Sequence, residues 1–351
     1  ICYKLNWRLL SIFASVIPII LMFAFTPVSL HNIFSVGIFP FILSFLATMT
    51  KIFLQAIRFY YFIRKFIGNN VSSFWKIAFA RLAGEFVTQT TPSYIGGELV
   101  RIAFLTKNNV SPGKAAWVTT MEIIADVFVG TILAFIAGFN ALLIGATFIG
   151  ILLILIALPT FGFWFFILIY SSKKNIRLPS FSLNLAKKFI SEEKALRGIN
   201  SVNHALDDLC MMSRENFRSF ESVKIFSIGI AITLLAFLFH GLSFLVLTHS
   251  VESHVDLFVS FMATSSSTIL GTLPVTIGGS GLAELGLWSY ITHLNDFSQL
   301  GHILTDNQLN VIIAWRIASY HIPLIIMWLA LMKLAVGKGY KSSSPSKVSD
   351  G

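Results

Sequence analysis

The sequence predicts an all-α integral membrane protein with six full spans and two re-entrant helical hairpins related as an inverted repeat. Three observations point there. The chain is 55% hydrophobic and 12% charged, with a mean hydropathy of +0.78, whereas a soluble domain carries roughly 25% charged residues. A hexapeptide occurs twice, Pro92-Ser-Tyr-Ile95-Gly96-Gly97 and Pro274-Val-Thr-Ile277-Gly278-Gly279, about half a chain length apart. Lys and Arg are confined to short segments between long apolar runs. The net charge of +10 therefore reads as cytoplasmic loops rather than a nucleic-acid surface. Cys2 and Cys210 are the two cysteines; they have no metal-ligand spacing, so neither a disulfide framework nor a zinc site is expected.

A span needs about 20 mostly apolar residues. In chain order the segments that qualify are Leu9–Leu30, Ile33–Ile57, Ala115–Phe139, Ala141–Tyr170, Ile225–Thr248 and Leu309–Val336. The first follows Lys4 and Arg8, has full span length and lacks a small-residue cleavage site, so it reads as a span and not a removed signal peptide. The chain begins at Ile1 rather than Met, which suggests that a few residues precede it.

Two more apolar segments, Phe74–Leu105 and Leu257–Leu294, carry the hexapeptide near their middles. Pro and Gly-Gly break a helix, and in lipid the freed backbone groups are tolerated only where they are buried in protein or line a cavity. Matched breaks in two halves are the sequence pointer to a transporter-type midplane site. The distribution of Lys and Arg decides between broken spans and hairpins. With hairpins, Lys4, Arg8, Arg58, Arg64, Lys65, Lys76, Arg101, Lys107 and Lys114 face the cytoplasm. So do the ten basic residues of Ser171–Lys224 and the terminal Lys333, Lys338, Lys341 and Lys347, while His249–Asp256 and Thr292–Gln308, which have no Lys or Arg, lie outside. Eight spans would instead put thirteen basic residues outside, against the positive-inside rule. Both termini are thus cytoplasmic, and the hairpins enter from opposite sides.

The polytopic region covers 1–336 and includes one polar insert, Ser171–Lys224. There Leu196, Ile199, Val202, Leu206 and Leu209 recur at spacings of three and four, predicting an amphipathic helix on the cytoplasmic face. A docking surface for an enzyme is the functional alternative. The tail 337–351, rich in Lys, Ser and Gly, is expected to be disordered.

Ionisable residues inside a membrane mark functional sites by default. Glu98 and Arg101 follow the first Gly-Gly, and Glu284 follows the second. Glu122 and Asp126 share one helix face, and Arg316 lies inside the last span. Unwound N–H groups and half-helix N-termini favour anions, whereas carbonyls and carboxylates favour cations. Arg101 and Arg316 suit a phosphate; Glu98, Glu122 and Glu284 suit an amine, a sugar hydroxyl or a proton. With Asp126 these are the candidate substrate-binding residues, and Pro92, Gly96, Gly97, Pro274, Gly278 and Gly279 are the hairpin breaks. The same charges also serve to hold helices together, the simpler reading for Arg81 and Glu85 at i, i+4. His240 and His321 read as packed side chains, and the hydroxyls of Ser265, Ser266 and Ser267 as bonded back to helix carbonyls. No phosphate-loop or nucleophile-elbow pattern is present.

Three motifs in order carry a family resemblance. Arg81-Leu-Ala-Gly84-Glu-Phe…Thr91-Pro92-Ser-Tyr-Ile-Gly96-Gly97-Glu98-Leu-Val-Arg101, Leu273-Pro274…Gly278-Gly279-Ser-Gly281-Leu-Ala-Glu284 and Trp315-Arg316-Ile-Ala-Ser-Tyr320-His-Ile-Pro323 resemble the lysylphosphatidylglycerol synthase transmembrane (flippase-like) family across about residues 5–335. The family often has an Arg directly after the glutamate of its Glu-x-x-x-Asp helix, where this chain has Ile123. The resemblance is to stand-alone members without the aminoacyl-transfer domain, and it implies lipid translocation rather than synthesis.

The expected function is therefore non-enzymatic transfer of a phospholipid, aminoacyl-lipid or lipid-linked sugar headgroup between leaflets of the cell membrane, without cofactor or metal. A transporter of a small soluble solute, or an accessory subunit of lipid or lipid-linked glycan synthesis, are the alternatives. A membrane lipid is the expected ligand and nucleic acid is not; there is room for a lipid-synthesis enzyme as partner and for a homo-oligomer.

Overall fold

The computed structural model describes residues 35–69, 71–91, 96–173, 181, 182, 187, 192–217, 219–250, 255–273, 279, 281–292 and 306–336. Among these the regular structure is helical throughout. The helices are α1 (Ile38–Phe66), α2 (Phe74–Thr90), α3 (Gly97–Lys107), α4 (Pro112–Leu143), α5 (Thr147–Lys173), α6 (Glu192–Phe217), α7 (Phe220–His249), α8 (Leu257–Gly271), α9 (Leu282–Thr292), α10 (Asp306–Arg316) and α11 (Ile322–Val336). A π-helical turn, Ile317–His321, joins the last two.

Local chemistry sets several of these boundaries. Ser111 accepts the Lys114 N–H ahead of Pro112 at the first helical position of α4, the residue pair that best starts a helix. Asp256 accepts the Val259 N–H at 2.7 Å and caps α8. In the last span Pro323 has no N–H to give the carbonyl four residues back. The ladder widens there, and the Ile322 N–H reaches the Ile317 carbonyl.

Among the described residues, five segments are long and apolar enough to cross a membrane: Ile38–Phe66, Pro112–Leu143, Thr147–Phe166, Phe220–His249 and the composite Gln308–Ala335. They coincide with five of the six predicted spans. The sixth, Leu9–Leu30, lies outside the described residues, as do the tail 337–351, Pro92, Pro274 and Gly278. Large apolar side chains such as Phe39, Leu46, Leu143, Leu155 and Phe166 are exposed on the outer surface, while Arg58, Glu122, Thr233 and Ser266 are buried. A bundle that displays apolar residues and hides charged ones is built for lipid as solvent.

Helix α1 lies along α7, and each pairs with the hairpin segment that follows it, α1 with α2 and α7 with α8. Within the hairpin segments α2 packs on α3 and α8 on α9. In addition, α4 lies against α8, and α11 against α2. Helix α6 rests on α4 and α5. Within the predicted insert it is helical over Glu192–Phe217. Leu196 is 40% exposed, while Ala195 and Cys210 are buried.

One sequence reading is corrected here. Arg58 was expected in a cytoplasmic loop after a span ending at Ile57, but α1 continues to Phe66 and Arg58 is fully buried within it. Two carboxylates on α4 neutralise Arg58, so the helix runs on through a charge that would otherwise end a span.

Candidate functional site

A cavity of about 480 Å³ opens among α1, α2, α3, α4, α5, α7, α8, α9 and the last span. Its charged lining consists of Lys51, Arg81, Glu85, Glu98, Arg101, Asp126 and Arg316, with Gln55, Gln89, His240, Ser267, Thr268, Ser319 and Tyr320 among the polar groups. Ile123, Val127, Trp164, Phe237 and Trp315 supply apolar wall. A small set of convergent polar groups in an otherwise apolar pocket is the usual form of a small-molecule site.

Behind the cavity the first hairpin is tied to the bundle by one carboxylate. Glu122, fully buried on α4, accepts from guanidiniums on three other helices. Arg81 Nε of α2 donates to Oε1 at 2.5 Å, Arg58 Nη2 of α1 to the same oxygen at 3.3 Å, and Arg101 Nη1 of α3 to Oε2 at 2.5 Å. One turn along α4, Asp126 takes a two-pronged bond from Arg58, at 2.6 and 2.7 Å. Arg58 also donates to Thr233 Oγ1 of α7 at 2.5 Å. Arg81 pairs with Glu85, whose other oxygen accepts from Gln89 Nε2 at 3.0 Å. Three guanidiniums thus meet three carboxylates in a compact, charge-balanced network. Only pairing of this completeness offsets the desolvation of so many charges.

The second hairpin has a simpler polar tie. Glu284 Oε1 on α9 meets Arg316 Nε at 2.8 Å. The Arg316 guanidinium sits 4.0 Å from the centroid of the Tyr320 ring, and the Tyr320 hydroxyl donates to the Gln89 carbonyl at 2.9 Å, near the end of α2. The chain Glu284–Arg316–Tyr320–Gln89 therefore runs from one hairpin to the other. His321 Nδ1 donates to the Arg316 carbonyl at 3.1 Å inside the π turn, holding the arginine's backbone where the ladder is widened.

The two hairpins also share a device at their breaks. Glu98 Oε2 accepts the Gly96 N–H at 2.7 Å, and Glu284 Oε2 accepts the Gly281 N–H at 2.7 Å. In each case a glutamate in the first turn of the second half-helix satisfies a donor freed by the break, which the helix dipole also favours. Glycine brings the paired helices together. A Cβ on Gly84 would lie 2.7 Å from the Gly97 carbonyl, and one on Gly286 would lie 2.9 Å from the Ser267 Cα.

Of the residues singled out in the sequence, Glu98, Arg101, Asp126 and Arg316 line the cavity. Glu122 stands behind it, and Glu284, whose side chain is 25% exposed, pairs with a lining residue. Gly96, at φ +117°, precedes α3, and Gly97 opens it; Gly279 has φ +66°. Arg81 and Glu85 do pair with each other, and they line the cavity as well. Ser265 bonds back to the Phe261 carbonyl as expected, but Ser266 reaches across to the Gly286 carbonyl of α9.

Sequence reasoning missed Lys51, Gln55 and the inward role of Arg58. The signal was present as a polar stripe at helical spacing within an apolar span: Ser44, Thr48, Lys51, Gln55 and Arg58.

Most of the chain matches a known family. The family description "Lysylphosphatidylglycerol synthase TM region" matches residues 8–326. The chain belongs to this family. It is accordingly a multi-pass membrane protein. Comparison with curated proteins gives no match.

Proposed function

We propose that this member of the lysylphosphatidylglycerol synthase transmembrane-region family is a lipid translocase. It moves a phospholipid, aminoacyl-lipid or lipid-linked sugar headgroup between the leaflets of the cell membrane. The observation that carries this reading is the charged cavity of about 480 Å³ inside an apolar bundle, lined from both hairpins. That volume falls within the range of small-molecule sites, about 300–1,000 Å³. It suits a headgroup and leaves acyl chains in the surrounding lipid.

The helix lengths favour re-entrant hairpins. At about 1.5 Å per residue, α3 and α9, each of 11 residues, extend roughly 16 Å, about half the hydrocarbon thickness. The packing also suits an inverted repeat. Exchanging α1, α2/α3 and α4 with α7, α8/α9 and α11 maps the main contacts onto one another: α1 with α2 onto α7 with α8, and α2 with α11 onto α8 with α4. In this scheme the headgroup rests between the hairpins, with Glu98, Arg101, Asp126 and Arg316 around it and Glu284 holding Arg316. Alternating access follows from one half rocking against the other.

The test is leaflet exchange in liposomes containing the purified protein, using several headgroup-labelled lipids, with Glu284→Gln and Arg316→Ala alongside. Exchange that is selective for headgroup and lost in both folded variants is the expected result. No exchange of any lipid would transfer the same cavity to a soluble solute or to an accessory role in lipid synthesis.

A further inference from the structure

The charges around the cavity do not all compensate one another at close range. Arg58, Arg81 and Arg101 are met by Glu85, Glu122 and Asp126, and Arg316 is met by Glu284. Lys51 differs. Among the described residues no carboxylate lies within ion-pair distance of its ammonium, although it lines the cavity and feels Glu85 and Asp126 from further away. An ammonium in a site of low dielectric calls for a counter-charge.

A second group lining the cavity has an unpaired nitrogen. His240 of α7 lines the same cavity and is 6% exposed. Its ring leans on Trp315, with centroids 5.2 Å apart, and its Nδ1 is buried with no hydrogen-bond partner. Lys51 and Arg316 line the same cavity as this ring, and the charges of both act on it. A buried ring nitrogen left unpaired costs free energy that a hydrogen-bonding ligand would recover.

We propose that Lys51 and His240 form an oxyanion subsite that takes a phosphate diester. Lys51 supplies a point charge with three donors, and the imidazole N–H supplies one directed donor. Charge selects the diester. Its single negative charge matches the Lys51 ammonium, and the Glu98 carboxylate, which also lines the cavity and accepts the Gly96 N–H, opposes the charge of about −1.5 to −2 that a phosphate monoester brings near neutral pH. Arg316 is already committed to Glu284, so it shapes the neighbouring wall without adding a free charge. The proposal rests on the translocase reading for the source of the phosphate, a lipid headgroup; the chemistry of the subsite is the same for a free phosphate.

Purified protein in nonionic detergent is titrated with phosphatidylglycerol, with diacylglycerol of the same chains, and with labelled inorganic phosphate. Bound lipid is read by native mass spectrometry and bound phosphate by equilibrium dialysis. The variants are Lys51→Met, Lys51→Arg and His240→Phe. Removing Lys51 strands no described partner, so Lys51→Met should keep its melting temperature; Lys51→Arg keeps the charge and serves as the second variant. The expected result is phosphatidylglycerol held at least about tenfold more tightly than diacylglycerol, as a charge-assisted contact gives. Lys51→Met should lose about that factor, His240→Phe a smaller one, and Lys51→Arg little. Equal affinity of wild type for the two lipids, or undiminished phosphatidylglycerol binding in Lys51→Met, overturns the subsite. Lys51-dependent binding of inorganic phosphate without lipid binding upholds the subsite and makes free phosphate its ligand. Lys51-dependent lipid binding without leaflet exchange also upholds it and removes the translocase reading instead.

Discussion

The two hairpins meet the bundle in different ways. The first, α2 with α3, is joined to α4 and α1 through a network of three guanidiniums and three carboxylates centred on the fully buried Glu122. The second, α8 with α9, is joined through hydroxyl contacts, such as Ser260 to the Gly241 carbonyl at 2.7 Å, and, among the described residues, through one ion pair, Glu284–Arg316. Buried ion pairs are costly to break because the remaining charge is stranded, whereas a partly exposed pair loses less. The first hairpin is thus the anchored side of the cavity and the second the side more readily released. If one half rocks against the other, the lower barrier lies at α8 and α9.

Glu122→Gln tests the anchored side and should have the largest effect. It takes the buried carboxylate from Arg101 and leaves Arg58 and Arg81 with Asp126 and Glu85 alone, and the expected loss is about 3–5 kcal/mol. The measurement is denaturant unfolding in detergent, or loss of folded protein on expression where the variant is too weak to purify. Glu284→Gln leaves one arginine short of one carboxylate at a site with 25% exposure, so its loss should be smaller, about 1–2 kcal/mol. Equal losses in the two variants would erase the distinction between an anchored and a releasable hairpin.

The glycines sharpen the same comparison, because in this respect the hairpins are alike. A Cβ at Gly97 would run into the Thr88 side chain and the Gly84 carbonyl, and one at Gly286 into the backbone of Ser266 and Ser267. Gly97→Ala and Gly286→Ala should each cost about 1–3 kcal/mol through forced separation of the paired helices, read as a drop in thermal stability. A loss confined to Gly97→Ala would mean that the second hairpin opens freely enough to accept the methyl group.

What the sequence made legible follows the same division. Spans were readable because apolar length is a local property, and five of the six coincide with helices of spanning length. Glu98, Arg101, Asp126 and Arg316 stood out as charges within apolar segments, and all four line the cavity. The convergence on Glu122 was not, since Arg58, Arg81 and Arg101 lie 64, 41 and 21 residues away from it along the chain. Arg58 was misplaced because a charge near the end of an apolar run looks like a boundary. Only the partner on another helix shows it to be interior.

Tyr320 is the smallest and most selective probe, because it touches both sides. Its ring lies under the Arg316 guanidinium and its hydroxyl donates to the Gln89 carbonyl. Tyr320→Phe keeps the ring, and with it the contact to Arg316, and removes the hydroxyl that bonds to α2. The expected stability loss is about 1 kcal/mol, the usual worth of one neutral hydrogen bond. Combining it with Arg316→Met in a double-mutant cycle separates the two contacts. If the hydroxyl and the guanidinium act through the shared ring, the paired loss should fall short of the sum of the single ones by about 0.5 kcal/mol or more. Strict additivity would mean that the ring passes nothing between the hairpins. In that case α9 moves without reference to α2, and their common cavity is bounded by two independent walls.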